Sequence, residues 1–365
     1  MKILFFLVHP AKFHFHKVQI NSLIERGHEV QILIIKKDIL EDLVKSEGWK
    51  YKNIYPEGRK IKGLHTYISA AIATVRTIYR LLNYTKNNKF DLYVGDFLTW
   101  VGKARGVPSL YPTDDVLSEV PEQQIFLFPA TNIIAPKITD LGKYDYKTIR
   151  YDGYKSLAHL HPNFFSPDIN KIALKYRHED FFLIRCVGFN ATHDLDKHGI
   201  SDEILRKLIK ILEPHGKILI SSERELPKDI MKYLSDIDKS DISHYMSFCK
   251  LFISDSTTMT SEACILGTFS IEYDNYFEYI EQMKELSDRY HLTRGFSPDQ
   301  GPEKMYDFVE RFIKDYDKFS SDKDKNLNRL LEEKIDVSNF LLWIYENFPE
   351  SANQAIENPN IQYEI

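Results

Sequence analysis

The sequence predicts an α/β protein built from two doubly wound, Rossmann-like domains. Three observations carry this. The chain has 365 residues, more than one typical core organises and enough for two. It opens as strand, loop, helix, glycine and strand: an apolar run from Ile3 to Val8, helical spacing of Val18, Ile20, Leu23 and Ile24, a stop at Gly27, and a second apolar run from Val30 to Ile35. A similar unit recurs between Cys249 and Asp274. Units of this kind lay parallel strands side by side, and ligands bind beyond the carboxyl ends of the strands.

Composition narrows the function classes. Apolar residues make up 43% of the chain and charged residues 28%, as in a globular protein. A formal net charge of −5 argues against nucleic acid as a partner. Cys186, Cys249 and Cys264 sit inside apolar runs and read as buried thiols in a reducing compartment. No Cys or His spacing suits zinc, so no metal is expected. The opening run stops at His9-Pro10, short of a secretory signal, and no stretch reaches the roughly 18 apolar residues that cross a bilayer. The cytoplasm is the expected location.

In the first half, residues 9–14 read as the loop after the first strand. It lacks GxGxxG, which argues against a nicotinamide cofactor, and carries His9, Lys12, His14 and, just beyond, His16. A histidine there suits removing a proton from a sugar hydroxyl; each one also has a plain reading as a capping or packing residue. Residues 59–89 hold seven basic residues and no acidic one, with Leu64, Ile68, Ala71, Ile72, Val75, Ile78, Tyr79 and Leu82 at helical spacing. The plain reading is a core-packed helix with a basic outer face; the functional one is a surface meeting anionic lipid or a lipid-linked diphosphate. Strands over Asp91–Val94 and Ser109–Tyr111 end at Asp96 and at Asp114-Asp115, where carboxylates reach a ligand crevice. Asp115, if raised in pKa, is a rival base to His14. Residues 149–168, with Pro162 and Pro167, read as the domain junction. The expected division is 1–165, joined by a crossover helix at 336–350, and 166–335.

In the second half, Phe181–Val187 is a strand interrupted by Arg185, which in an apolar run needs a carboxylate or a phosphate. His193 and Asp194 follow in a loop, then a helix from Ser201 to Leu212 and a strand from Lys217 to Ile220 that leads to Arg224. The acidic spacings at Asp194–Asp196 and Asp236–Asp238 are short enough to arise by chance. The recurring unit then runs from Leu251–Ile253 through Ser254-Asp255-Ser256-Thr257-Thr258 into a helix marked by Met259, Ala263 and Leu266, and stops at Gly267 before a strand at Phe269–Ile271. A helix start offers unpaired N–H groups and partial positive charge to a phosphate, and hydroxyls add donors. Glu262 stands further along, where a carboxylate meets a ribose diol. The plain alternative is that Ser256 or Thr257 caps the helix and Glu262 is solvated. The last apolar helix spans Ser338–Tyr345, and the tail from Ser351 reads as loosely ordered.

The segment Ser254 to Ala263, closing with Leu266-Gly267, resembles the donor-nucleotide motif of GT-B glycosyltransferases. It is also similar to the matching segment of the non-hydrolysing UDP-N-acetylglucosamine 2-epimerases, which usually show glycines where Thr257 and Thr258 stand. Residues 151–155 (YDGYK), 161–168 (HPNFFSPD) and 193–199 (HDLDKHG) closely resemble an uncharacterised archaeal and bacterial family of predicted GT-B architecture.

The resemblance implies two Rossmann-like domains facing across a cleft, with the last helix crossing back to the first domain. It implies a metal-independent glycosyltransferase that needs no cofactor, takes a UDP-linked sugar as donor substrate, and uses a glycan or lipid-linked acceptor in cell-surface polysaccharide synthesis. Nucleotide binding then falls to Arg185, Arg224, Ser256, Thr257, Thr258, Met259, Thr260 and Glu262, and catalysis to His14, Asp115 or His193. Residues 59–89 would meet an anionic membrane. Epimerase-type chemistry and nucleotide-sugar binding without turnover are the alternatives.

Overall fold

The computed structural model describes residues 1–59, 66–188 and 199–365. It divides into two compact units, Met1–His159 with Ile335–Ile365, and Leu160–Lys334.

The first unit is a seven-stranded, all-parallel sheet of β1 (Lys2–Leu7), β2 (Glu29–Ile35), β3 (Tyr51–Tyr55), β4 (Leu92–Val94), β5 (Ser109–Pro112), β6 (Asn132–Pro136) and β7 (Thr148–Tyr151), in the order β3-β2-β1-β4-β5-β6-β7. Strand β1 is central because Ile3 to Leu7 are all buried, so helices can cover both faces. Phe5 pairs with Ile32 on one side and Val94 on the other. Strand order reverses between β1 and β4, which opens a ligand crevice at their carboxyl ends.

The second unit is a five-stranded parallel sheet of β8 (Phe181–Cys186), β9 (Lys217–Ser222), β10 (Leu251–Ser254), β11 (Ser270–Tyr273) and β12 (Thr293–Phe296), in the order β12-β11-β10-β8-β9. Its reversal lies between β8 and β10. Its core joins Phe182, Ile184, Leu251, Ile253 and Ile271 of the sheet to Leu205, Leu208 and Val309 of flanking helices.

The last apolar helix, Val337–Glu346, packs on the Pro10–Glu25 helix within the first unit. Gln19 and Ser338 are hydrogen-bonded at 2.8 Å, and Arg26 pairs with Glu346 at 2.7 Å.

Four expectations change. The loop after β1 is only Val8-His9, because Pro10 takes the first helical position and the His9 ring accepts the Ala11 amide at 3.2 Å, so His14 and His16 lie on the helix. Thr148–Tyr151 is a sheet strand, where the junction was expected to begin. The tail is ordered: Glu350–Glu357 is a helix that buries Ala352 and Ala355, and Gln362 is buried behind it. The helix Thr66–Thr85 turns Ser69, Ala73, Thr77 and Leu81 inward, while Ile68, Ile72, Val75 and Tyr79 stay exposed.

Candidate functional site

In the second unit the site grows from β10. Leu251, Phe252 and Ile253 are fully buried, which fixes the strand at the centre of its sheet and delivers the next residues to the carboxyl edge. Asp255 lies at the reversal itself. Its carboxylate accepts the Val187 amide at 2.8 Å and the Ile200 amide at 3.1 Å, tying the exit of β8 to that of β10. Burial pushes this carboxyl up to about 6 despite the two amide bonds.

Ser256 is extended and caps the helix Thr257–Ile265, its hydroxyl accepting the Met259 amide at 3.5 Å. The amides of Thr257 and Thr258, the first two of the helix, have no acceptor among the described residues. Thr258 is exposed and Thr257 half-buried, so this helix start is open to solvent. Gly267, with φ +78°, ends the turn after Leu266.

Behind the helix start lies a carboxyl pair. The Thr257 hydroxyl donates to Glu272 at 2.6 Å and approaches Asp274 at 3.3 Å. Glu272 is fully buried; burial, and then the Asp274 charge, push its carboxyl well above the ordinary range. Asp274 accepts the amides of Tyr276 at 2.7 Å and Phe277 at 3.0 Å. Beyond it is a cavity of about 130 Å³ lined by Asp274, Asn275, Phe277, Phe296, Ser297 and Asp299. Gly295 makes room there: a Cβ on it would lie 2.0 Å from the Phe277 ring.

The other nucleotide-binding expectations fall as follows. Thr260 is buried and its hydroxyl donates back to the Ser256 carbonyl at 2.9 Å, so it faces the protein rather than a ligand. Met259 packs against the core of the unit. Glu262 is half-buried on the helix. Arg185 finds a carboxylate: it donates to Ser221 at 2.9 Å and to Glu223. Arg224 donates to Asp202 at 2.5 Å and to the Ile200 carbonyl at 2.9 Å. Both guanidinium groups assigned to phosphate are therefore engaged by this unit's own side chains.

In the first unit, charge gathers at the carboxyl edge. Gly95, at φ +132°, closes β4 with no room for a Cβ, which would lie 2.7 Å from the Phe6 carbonyl oxygen, and delivers Asp96. Lys12 donates to the Pro112 carbonyl at 2.6 Å and lies 3.5 Å from Asp96. Lys155 pairs with Asp114 at 2.8 Å. Burial opposes ionisation of Asp114, but Lys155 and Lys12 outweigh it and hold the carboxyl below the usual range. Asp115 is exposed, yet partial desolvation and then the Asp114 charge raise its pKa.

His14 is half-buried on the helix, its ring 5.2 Å from that of His159. His16 is a core residue packed edge-on against Phe5 and 3.3 Å from the Tyr345 hydroxyl, and burial holds it neutral. His193 lies outside the described residues.

Sequence reasoning missed Glu272, Asp274 and Lys155. Glu272 left a signal: an acid between Ile271 and Tyr273 in an apolar strand needs a buried partner.

A family model described as "Protein of unknown function (DUF354)" matches residues 1–293. The chain belongs to the DUF354 family. No curated protein matches it in sequence. Solved structures resemble this DUF354 chain over nearly its whole length. The UDP-GlcNAc 2-epimerase from Neisseria meningitidis, solved bound to UDP-GlcNAc, is 12% identical, covers 90% of this chain and 94% of its own, and has a TM-score of 0.61. The glycotransferase of kitacinnamycin is 10% identical, with coverage of 94% and 98% and a TM-score of 0.60. The spinosyn rhamnosyltransferase SpnG, complexed with spinosyn aglycone, is 13% identical, with coverage of 95% and 100% and a TM-score of 0.59. At these identities the likeness shows the fold, which in this DUF354 member is GT-B.

Proposed function

We propose that this protein binds a nucleotide-activated sugar, UDP-linked by the resemblance, and transfers its glycosyl group to a hydroxyl of a glycan or lipid-linked acceptor in the synthesis of cell-surface polysaccharide or glycoconjugate. The observation that carries the reading is the open start of the Thr257–Ile265 helix, with two amides that no described residue accepts, at the carboxyl end of a central parallel strand. Those amides would hold the diphosphate and stabilise the charge that develops on it as the bond to the sugar breaks. The acceptor oxygen bonds to the anomeric carbon and its proton passes to a base. Asp115, at a strand end and exposed, suits that role better than ring-packed His14. With a lipid-linked acceptor the reaction would take place in the cytoplasm at the inner face of a membrane.

A second reading, epimerase-type chemistry on a UDP-N-acetylhexosamine, draws support from Asp96, Asp114 and Asp115 at one edge of the first sheet. Such an enzyme needs carboxylates around the sugar and no acceptor.

Thermal melts with UDP-, GDP-, CMP- and dTDP-sugars test binding, because a ligand of the native state raises the melting temperature by mass action. A shift with one nucleotide class is expected; no shift with any of them refutes the proposal. Incubating the stabilising donor alone then separates the two chemistries, since sugar isomerisation without acceptor supports the second. Binding without turnover across an acceptor panel leaves a nucleotide-sugar binding protein.

A further inference from the structure

The helix Thr66–Thr85 exposes the face that its apolar periodicity would be expected to bury. Ile68 is 54% exposed, Ile72 39%, Val75 68% and Tyr79 64%. At 100° per residue these four fall on one narrow stripe about 16 Å long, roughly opposite the inward Ser69, Ala73, Thr77 and Leu81. The helix packs Leu81 into the core with Ile78 and Leu82 against it, and still keeps four large apolar side chains in water. Single exposed apolar residues are ordinary, whereas an aligned row of four marks a contact surface.

Charge says what covers it. Within 66–90 the chain has Arg76, Arg80, Lys86 and Lys89 and no acidic residue, against a net charge of −5 for the whole chain. Glu57 engages Arg80 at 2.6 Å and Arg76 at 3.9 Å, while Lys86 and Lys89 are exposed at the carboxyl end of the helix. A symmetric contact with a second copy would set this basic surface against itself. An anionic lipid surface complements it, taking the apolar stripe at the headgroup boundary and the cations among the phosphates.

We infer that the outer face of the Thr66–Thr85 helix is a docking surface for an anionic lipid bilayer. The inference goes beyond sugar chemistry and does not depend on it. The helix lies in the plane of the interface; no helix among the described residues is long and apolar enough to cross a membrane.

Flotation of the full chain with vesicles tests this without donor or acceptor, so its failure is distinct from failure of the sugar-transfer reading. Binding is expected to vesicles of phosphatidylcholine mixed with phosphatidylglycerol, weakening in high salt, and not to phosphatidylcholine alone. The double variant Val75→Glu/Tyr79→Glu should lower the bound fraction about tenfold with an unchanged melting curve. Leu174→Glu, at an isolated residue 78% exposed in the other unit, should bind like the wild type. Should the first variant misfold, Lys86→Glu/Lys89→Glu is the substitute and should weaken binding and its salt dependence together. Wild-type protein that ignores anionic vesicles overturns the inference, as does a folded double variant that binds them undiminished. A concentration-dependent dimer broken by Val75→Glu/Tyr79→Glu, with no vesicle binding, would assign the face to a second copy instead.

Discussion

The Thr257 hydroxyl donates a 2.6 Å hydrogen bond to Glu272, a carboxyl with no solvent exposure one strand away. The first residue of the candidate phosphate-binding helix is thereby held by an acid whose pKa burial raises. An acid whose pKa is raised by folding keeps a proton that the unfolded chain releases, so its contribution to stability falls as pH rises above the unfolded value of about 4.3. Glu272→Gln removes that titration while keeping an acceptor for Thr257. The variant is expected to gain stability relative to wild type at pH 8 and not at pH 4, read from urea unfolding at both pH values.

Thr258→Glu separates stability from binding. A carboxylate in the first turn favours the helix dipole by about 0.3–1 kcal/mol at an exposed position, but it places negative charge where a diphosphate would sit. Melting temperature should hold or rise slightly, while calorimetric affinity for the stabilising nucleotide-sugar drops roughly tenfold or more, the loss of one charge-assisted contact. Unchanged affinity would place the nucleotide elsewhere.

Asp255→Asn tests the tie between β8 and β10. An amide cannot accept on both sides, so one of the Val187 and Ile200 amides is left facing a donor, at a cost of about 1–3 kcal/mol. In wild type this group, raised to about 6, takes stability away as pH rises from roughly 4 to 6; the variant should lack that slope in its pH–stability curve.

Asp115→Asn should cut turnover by about 10²–10⁴ with little change in donor affinity if Asp115 is the base. The same loss in His14→Ala, with Asp115→Asn active, would move the role to the histidine.

Gly295→Ala should destabilise the second unit by about 1–3 kcal/mol, because the added methyl meets the Phe277 ring. The denaturant midpoint reads this directly.

Much of the fold was legible. Ile3–Val8 and Leu251–Ile253 marked central strands because parallel strands covered on both faces carry continuous apolar runs. Strands β3, β7 and β12 escaped notice: Tyr51–Tyr55, Thr148–Tyr151 and Thr293–Phe296 mix polar and apolar residues, and only pairing with a neighbour makes them strands. The site was half legible. The helix start at Ser256 and the carboxylates after β4 and β5 stood out, whereas Lys155 and Asp114 are 41 residues apart and local pattern has no means of joining them.

The sequence by itself determined the central strands and the start and stop of the helix after Ser256, because apolar runs, a capping hydroxyl and Gly267 act within a few residues of one another. Tertiary structure alone decided which partners the charged and apolar side chains took. Arg185 and Arg224 turned to Glu223 and Asp202, Thr260 turned inward, and the Thr66–Thr85 helix left Ile68, Ile72, Val75 and Tyr79 in water. Desolvation cost and packing depend on what lies across the fold, and no spacing along the chain encodes that distance.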